Sequence, residues 1–148
     1  ARSGVIAPVA SLQPPYSLVR RGADHEVLPY CMAEGIGVIV YAPMASGLLT
    51  GAMTPERAAS LPADDWRKRS PEFREPRLSA NLALVERLRS VGKRHGCQPG
   101  AVAVAWTLAN PAVTGAIVGC RNPGQVDGVM NAAGIRLSSD DIRTIEGT

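Results

Sequence analysis

Short apolar runs alternate with helix-type patterns along the chain, and this alternation constrains the fold more than any other feature. The runs cover residues 5–12, 38–41 and 112–118, and they are typical of strands buried on both faces. Pro8 lacks a backbone N–H, so pairing of the first strand is expected to begin after it. Strands that alternate with helices pair in parallel through right-handed crossovers. The order β-α-β-loop-α-α-β-α-α therefore predicts an α/β fold with three parallel strands.

The helix-type patterns fall into five segments, each with recognisable start or stop signals. They cover residues 24–34, 78–95, 99–109, 122–133 and 138–145. In the fourth segment, Val126, Val129, Met130 and Ala133 form the expected buried side. In the last segment, Ser138 and Asp141 have the spacing of a capping box. These signals are local and predict where each helix starts or ends.

Residues 42–77 form a long connection that contains five prolines among scattered charges. A connection of this length is expected to be functional or mobile. The basic run at residues 66–69 is short, so we expect it to lie in a solvated loop.

Composition excludes several classes of protein. The 148 residues include 16 Lys and Arg and 13 Asp and Glu, and the net charge of +3 is too small for a typical nucleic-acid binder. No apolar run approaches the roughly 20 residues of a membrane-spanning helix, and residues 1–10 lack the pattern of a signal peptide. The three cysteines are widely spaced without a CxxC pair, which argues against disulfides or a metal site and favours reduced thiols in the cytoplasm.

Ligands of parallel α/β folds bind beyond the carboxyl ends of the strands. Residues 119–125 follow the third strand and enter a helix, where free backbone N–H groups and Arg121 suit a phosphate. Equally, Asn122 could serve only as a helix cap and Arg121 could be solvated. Residue types alone leave both interpretations open.

Residues 41–51 follow the second strand and combine an aromatic residue with two glycines. Tyr41 could stack on a flat ring, and the small residues would let the backbone approach a ligand. Taken alone, the segment is better explained by a core tyrosine and a flexible turn. His25 and His95 flank helices and are expected to be solvated, and no nucleophilic triad suggests itself. Cys120, beside the possible anion site, is by default a small residue facing the core.

Four motifs in succession resemble the C-terminal half of aldo-keto reductases. They are LQPPYSL at 12–18, EVLPY at 26–30 leading to Gly35-Ile36-Gly37, YAPMASGLLTG at 41–51 and IVGCRNPGQV at 117–126. The resemblance covers residues from about 5 to 146. It implies a partial (β/α)8 TIM barrel that comprises about the last three β/α units. Residues 1–148 would then form one C-terminal half-barrel domain, without the N-terminal half.

The resemblance also implies NADPH as the cofactor and an oxidoreductase that reduces aldehydes or ketones. By analogy, Gln13 would bind the nicotinamide amide and Tyr41 would stack on the nicotinamide ring. The implied pyrophosphate residues are Met44, Ser46, Gly47, Leu48 and Gly51, and the implied residues of the phosphate and adenosine end are Gly119, Arg121 and Gln125. The chain departs from the family pattern at Ala42, Cys120 and Val129, and the last departure affects one adenine contact.

The catalytic Asp, Tyr, Lys and His of the family belong to its N-terminal half, so the resemblance assigns no catalytic residue here. We therefore expect no turnover by this chain alone. The alternative is a non-catalytic, nucleotide-binding half-barrel that self-associates or acts as a regulatory subunit, as in the channel-associated members of the family. The expected partners are NADP(H) and either a second copy or a complementary N-terminal half.

Overall fold

A three-stranded parallel sheet forms the centre of the fold in the computed structural model, which describes residues 7–148. The strands are β1 (Ser11–Leu12), β2 (Gly37–Tyr41) and β3 (Gly115–Ile117), in that spatial order. In the register of the sheet, Ser11 pairs with Gly37 and Tyr41 pairs with Ile117. Both pairings are parallel, as the alternation of strands and helices predicts.

Residues 7–148 contain six α-helices, of which five follow the predicted order and the second lies within the predicted long connection. They are α1 (Val27–Ala33), α2 (Pro55–Ala59), α3 (Arg77–His95), α4 (Pro99–Leu108), α5 (Pro123–Met130) and α6 (Ser139–Glu146). Short 3-10 helices occur at Gly22–Asp24, Ala45–Thr50, Trp66–Arg69, Pro71–Phe73 and Asn131–Gly134. The long connection at residues 42–77 is therefore built from short helices and turns.

The main core lies between the sheet and helices α3, α4 and α6. Val38 and Val40 of β2 are fully buried and pack with Leu88 and Val91 of α3 in one cluster. Helix α4 is buried from Pro99 to Thr107 because other elements surround it. Its neighbours include α3, α5, β3 and the Ala45–Thr50 turn. Its sequence is accordingly apolar on every side.

Helix α3 ends where its sequence predicts, at a glycine with left-handed backbone. Gly96 has φ of 62°, and its N–H donates to the carbonyl of Gly92. Gly92 is needed for a different reason, since a Cβ there would lie 2.6 Å from the carbonyl oxygen of Cys97. The chain after α3 can therefore fold back tightly only over a glycine.

Helix α6 starts with the predicted capping box, which also fastens the helix to the end of α3. Ser138 Oγ accepts from the N–H of Asp141, and Asp141 Oδ2 accepts from the N–H of Ser138. The same carboxylate accepts from Arg94 Nη2 at 2.7 Å and lies 2.9 Å from His95 Nε2. The expectation that His95 is solvated is therefore wrong, because its ring is partly buried against Asp141.

Three other expectations about burial are also wrong. Strand β1 is exposed and has only two residues, and residues 5–6 of the predicted run lie outside the described part of the chain. Strand β3 is shorter than residues 112–118 and is half-buried to exposed. Helix α5 has no buried residue, although Val129 is partly buried against a core cluster. Strands β1 and β3 are the edge strands of the described sheet, so each has a neighbouring strand on one side only.

Candidate functional site

A cleft of about 940 Å³ opens beyond the carboxyl ends of β2 and β3. Three walls surround it: the segment after β2, the turn that contains Trp66, and the segment from β3 into α5. Its volume is at the upper end of the range of about 300–1,000 Å³ that is typical of ligand sites. The cleft therefore has room for a large, extended small molecule.

The first wall carries a run of unusual backbone conformations. Ala42, Ala45 and Ser46 have φ between 47° and 56°, and Gly47 has φ of 91°. A left-handed conformation is uncommon for residues with a Cβ, and such strain is often found at functional sites. Here the following Leu48, which is fully buried, anchors the strained loop to the core.

Two contacts hold this loop from behind. Thr50 Oγ1 donates to the carbonyl of Gly47 at 2.8 Å, and Arg89 Nη2 of α3 donates to the carbonyl of Gly51 at 3.2 Å. Gly100 lets the first turn of α4 approach the loop, since a Cβ there would lie 3.2 Å from the sulfur of Met44. The loop is thus fixed by α3 and α4, and its strained residues Ala42, Ser46 and Gly47 line the cleft.

The third wall contains the predicted helix cap at Asn122 and an exposed Arg121, and phosphate binding there stays a prediction. Asn122 Oδ1 caps α5 by accepting from the N–H of Gln125 at 3.0 Å. Gln125 Oε1 accepts from the N–H of Arg121 at 2.7 Å. Arg121 is exposed and lines the cleft, as does the partly buried Cys120. The cap is therefore present, and Arg121 is available to a ligand in the same cleft.

The second wall was not anticipated from the sequence. Arg67 does not lie in a solvated loop but forms an ion pair with Asp65, with Nη2 and Oδ2 2.6 Å apart. Side-chain and backbone hydrogen bonds from Arg67, with smaller contributions from Arg67 and Arg121 charges, lower the pKa of Asp65 to about 2. Asp64, Asp65, Trp66 and Arg67 all line the cleft. The only sequence signal for this wall was the acidic pair at 64–65, followed by an aromatic and a basic residue.

Seven of the ten residues that the resemblance implies line the cleft, and three do not. The seven are Tyr41, Met44, Ser46, Gly47, Gly119, Arg121 and Gln125. Gln13 is exposed just after β1, Leu48 is buried in the core beneath the loop, and Gly51 turns against Pro99 with φ of 84°. Tyr41 is 41% exposed, so the alternative of a core tyrosine is wrong.

Acid–base groups are scarce around the cleft. Within residues 7–148, its lining contains neither histidine nor lysine, and its tyrosine is Tyr41. Tyr16 donates to Asp24 Oδ1 at 2.6 Å and is buried, and its burial and this hydrogen bond raise its pKa to about 12. Tyr16 therefore remains protonated and stabilises the fold.

Two further properties limit the chemistry of the described residues. Among residues 7–148, no cluster of three or more His, Cys, Asp or Glu side chains could hold a metal ion. Over the same range, each helix is too short or too polar to cross a membrane.

Comparisons with known proteins identify the relatives of this chain. The family model described as "Aldo/keto reductase family" matches residues 2–148. The chain is 36% identical over 141 residues to "Aldo-keto reductase YhdN" of Bacillus subtilis, covering 95% of this chain and 42% of that protein. It is 29% identical to "Probable aldo-keto reductase 1" of Glycine max, covering 97% and 41% of the two chains.

A solved structure agrees with these relatives. The chain is similar to the glycerol dehydrogenase AKR11B4 from Gluconobacter oxydans with a TM-score of 0.87 and 33% identity, covering 97% of this chain and 43% of that one. The predicted fold class, a partial (β/α)8 barrel with parallel strands, is confirmed, and this chain spans about two fifths of the length of the proteins it matches. The chain belongs to the aldo/keto reductase family.

Proposed function

We propose that this chain supplies the NADP(H)-binding part of an aldo-keto reductase that reduces aldehydes or ketones. The observation that carries the proposal is the cleft itself. It joins an aromatic side chain at the end of β2, a loop of small residues with exposed backbone, and an arginine at the entry to α5. A dinucleotide presents a ring, a pyrophosphate and a second nucleoside in the same order.

The charges of the cleft favour an anionic ligand. Its lining contains Arg57, Arg67 and Arg121 against Asp64 and Asp65. Because Arg67 is paired with Asp65, the charges of Arg57 and Arg121 exceed that of Asp64 by one. Arginine suits phosphate groups through its fork of N–H donors.

Each predicted residue has a role in this proposal. Gln13 holds the nicotinamide amide, Tyr41 stacks on the nicotinamide ring, and Arg121 and Gln125 contact the adenosine end. The loop residues Met44, Ser46, Gly47, Leu48 and Gly51 shape the pyrophosphate site, with Leu48 and Gly51 acting from beneath it, and Gly119 leaves room at the opposite wall. When bound, NADPH would supply the hydride for carbonyl reduction.

Titration of this chain with NADPH, followed by its fluorescence, tests the binding proposal. Arg121→Ala removes a charged hydrogen-bond donor, and the dissociation constant is expected to rise about tenfold or more. Arg136→Ala is the matched control, because Arg136 is an exposed arginine outside the cleft lining. Absence of saturable binding, or equal binding by wild type and Arg121→Ala, would contradict the proposed site.

Carbonyl reduction requires a proton donor as well as a hydride. The cleft lining between residues 7 and 148 contains neither a histidine nor a lysine that could assist a proton donor. We therefore propose that the acid is supplied by a complementary part of the barrel. Co-expression with the portion of the Bacillus subtilis relative outside the match is expected to restore NADPH-dependent aldehyde reduction. The chain assayed alone is expected to be inactive, and turnover by it would contradict this division of roles.

A second candidate function is a non-catalytic half-barrel that binds a nucleotide and self-associates. Tyr41 and Ile117 pair in register and are 41% and 45% exposed on a face of the sheet that the described helices leave open. Exposed apolar sheet faces and edges favour association. Light scattering is expected to show an oligomer in this case, whereas a monodisperse monomer would argue against it.

A further inference from the structure

Trp66 is an exposed aromatic residue without a role in the NADP(H) site proposed above. It lines the cleft and is 57% exposed, whereas Trp106, the other tryptophan, is buried beside Tyr16. Single exposed apolar side chains are common on protein surfaces. Trp66, however, is exposed in the wall of the cleft, where its aromatic face is accessible to a ligand.

The backbone around Trp66 is fixed by side-chain contacts on both sides. Asp65 Oδ1 accepts from the N–H of Arg67 at 2.9 Å, while Asp65 Oδ2 accepts from Arg67 Nη2 at 2.6 Å. Lys68 Nζ donates to the carbonyl of Leu61 at 3.0 Å. The turn therefore has little freedom, and Trp66 is presented from a nearly rigid base.

The indole itself packs edge-on against a buried ring. The centroids of Trp66 and Phe73 are 6.2 Å apart with an interplanar angle of 80°. Phe73 is buried in a cluster with Leu48 and Met53, beneath the loop that follows β2. This packing couples the position of Trp66 to the same loop that the proposed function assigns to the pyrophosphate.

Arg121, which the proposed function assigns to the adenosine end, lines the same cleft as Asp65 and Trp66. Its charge also helps to lower the pKa of Asp65. Tyr41, by contrast, lies at the end of β2 and is assigned to the nicotinamide. The cleft thus has one exposed aromatic residue for each ring of a dinucleotide.

We propose that Trp66 is the stacking platform for the purine base of the bound dinucleotide, and that the Asp65–Arg67 ion pair and Phe73 hold its indole in position. This inference rests on the proposed NADP(H) site and adds a residue on a wall that the sequence motifs do not include. Stacking on an aromatic side chain is tolerant of the base and contributes substantially to affinity.

Binding of 2′,5′-ADP, which lacks the nicotinamide, isolates the adenosine end. Trp66→Ala is expected to raise its dissociation constant about tenfold, while Trp66→Phe, which keeps an aromatic face, stays within about threefold of wild type. Arg69→Ala is the matched control in the same turn, since Arg69 lies outside the cleft lining, and it is expected to bind as wild type. Stacking should also quench tryptophan emission in wild type and leave the emission of Trp66→Phe unchanged.

Several outcomes would contradict the proposed stacking of the purine on Trp66. They are unchanged affinity of Trp66→Ala, an equal loss in Trp66→Ala and Trp66→Phe, or quenching that persists without Trp66. If any of these outcomes occurs while wild type still binds NADPH and Arg121→Ala still weakens NADPH binding, only the proposed role of Trp66 is wrong. If wild type binds neither NADPH nor 2′,5′-ADP, the proposed function fails as well.

Discussion

The two faces of the parallel sheet differ in what covers them. On one face, Val38 and Val40 are 0% exposed and pack against helices, whereas on the other Tyr41 and Ile117 are 41% and 45% exposed. Parallel sheets are normally covered on both faces. Within residues 7–148, helices therefore cover one face of the sheet, while Tyr41 and Ile117 on the other face remain exposed.

The covered side also contains the polar contacts that fasten the helices to one another. Asp141 of α6 bonds to Arg94 and lies beside His95, both at the end of α3. The open side has its ion pair, Asp65 with Arg67, at the cleft. Substitutions on the first side should change stability, and substitutions on the second side should change binding.

Matched isoleucines give the largest expected contrast. Ile145 of α6 is fully buried in the main core, and Ile145→Ala is expected to lower the free energy of unfolding by about 2–5 kcal/mol. Ile117→Ala, on the exposed face of β3, is expected to cost less than about 1 kcal/mol. Urea denaturation of both variants measures the difference, and similar costs would break the comparison between the two faces.

Asp141→Asn is expected to cause the next largest loss of stability. It removes the buried charge shared by Arg94, His95 and the capping box, at a cost of about 2–3 kcal/mol. Asp140→Asn is the control, because Asp140 lies in the same first turn but is exposed. NADPH affinity should be unchanged in both, and a binding defect specific to Asp141→Asn would show that the covered side also shapes the cleft.

The same carboxylate predicts an acid-dependent loss of stability. Burial opposes the ionisation of Asp141, but hydrogen bonds from His95, Ser138 and Arg94 outweigh it and hold its pKa well below its usual range. A depressed pKa in the folded state stabilises the fold above the unfolded value of about 3.9, and this contribution is lost as pH falls below it. Unfolding between pH 6 and 2 should show a steeper loss in wild type than in Asp141→Asn, and parallel curves would contradict the assignment.

Matched glycines give the smallest individual effects, and the two signs are opposite. Gly92→Ala places a Cβ 2.6 Å from the carbonyl of Cys97 and is expected to cost about 1–2 kcal/mol. Gly128→Ala meets no atom within 4 Å in helix α5 and is expected to stabilise by up to about 1 kcal/mol. Thermal denaturation compares them, and a destabilised Gly128→Ala would mean that the open side is more tightly packed than its exposure indicates.

Several sequence signals for interactions that span a few residues were reliable. The capping box at Ser138 and Asp141, the glycine that ends α3 and the strand at Gly37–Tyr41 occur where their patterns predict. The four motifs that resemble aldo-keto reductases led to the correct family, because together they span most of the chain. The order of the strands and their parallel pairing followed from the alternation of apolar runs with helix-type patterns.

Signals that depend on distant neighbours failed or were missed. Apolar residues predict burial, but edge strand β1 is exposed and helix α5 has no buried residue. His95 is joined to Asp141 across 46 positions, a separation that no local pattern reveals. The ion pair between Arg67 and Asp65 is an exception, because it spans only two positions and was still missed within a basic run.

The sequence by itself determined five of the helices, the order of the strands, the parallel sheet and the family, because helix signals, hydrophobic periodicity and the order of motifs can be read along the chain. Only the tertiary structure decided which face of the sheet is covered, and it brought Trp66 and Arg121 into one cleft from segments 55 residues apart. The physical reason is that burial and the juxtaposition of side chains depend on packing between distant segments. The candidate site therefore depends on the packing of its three walls as well as on the sequence motifs.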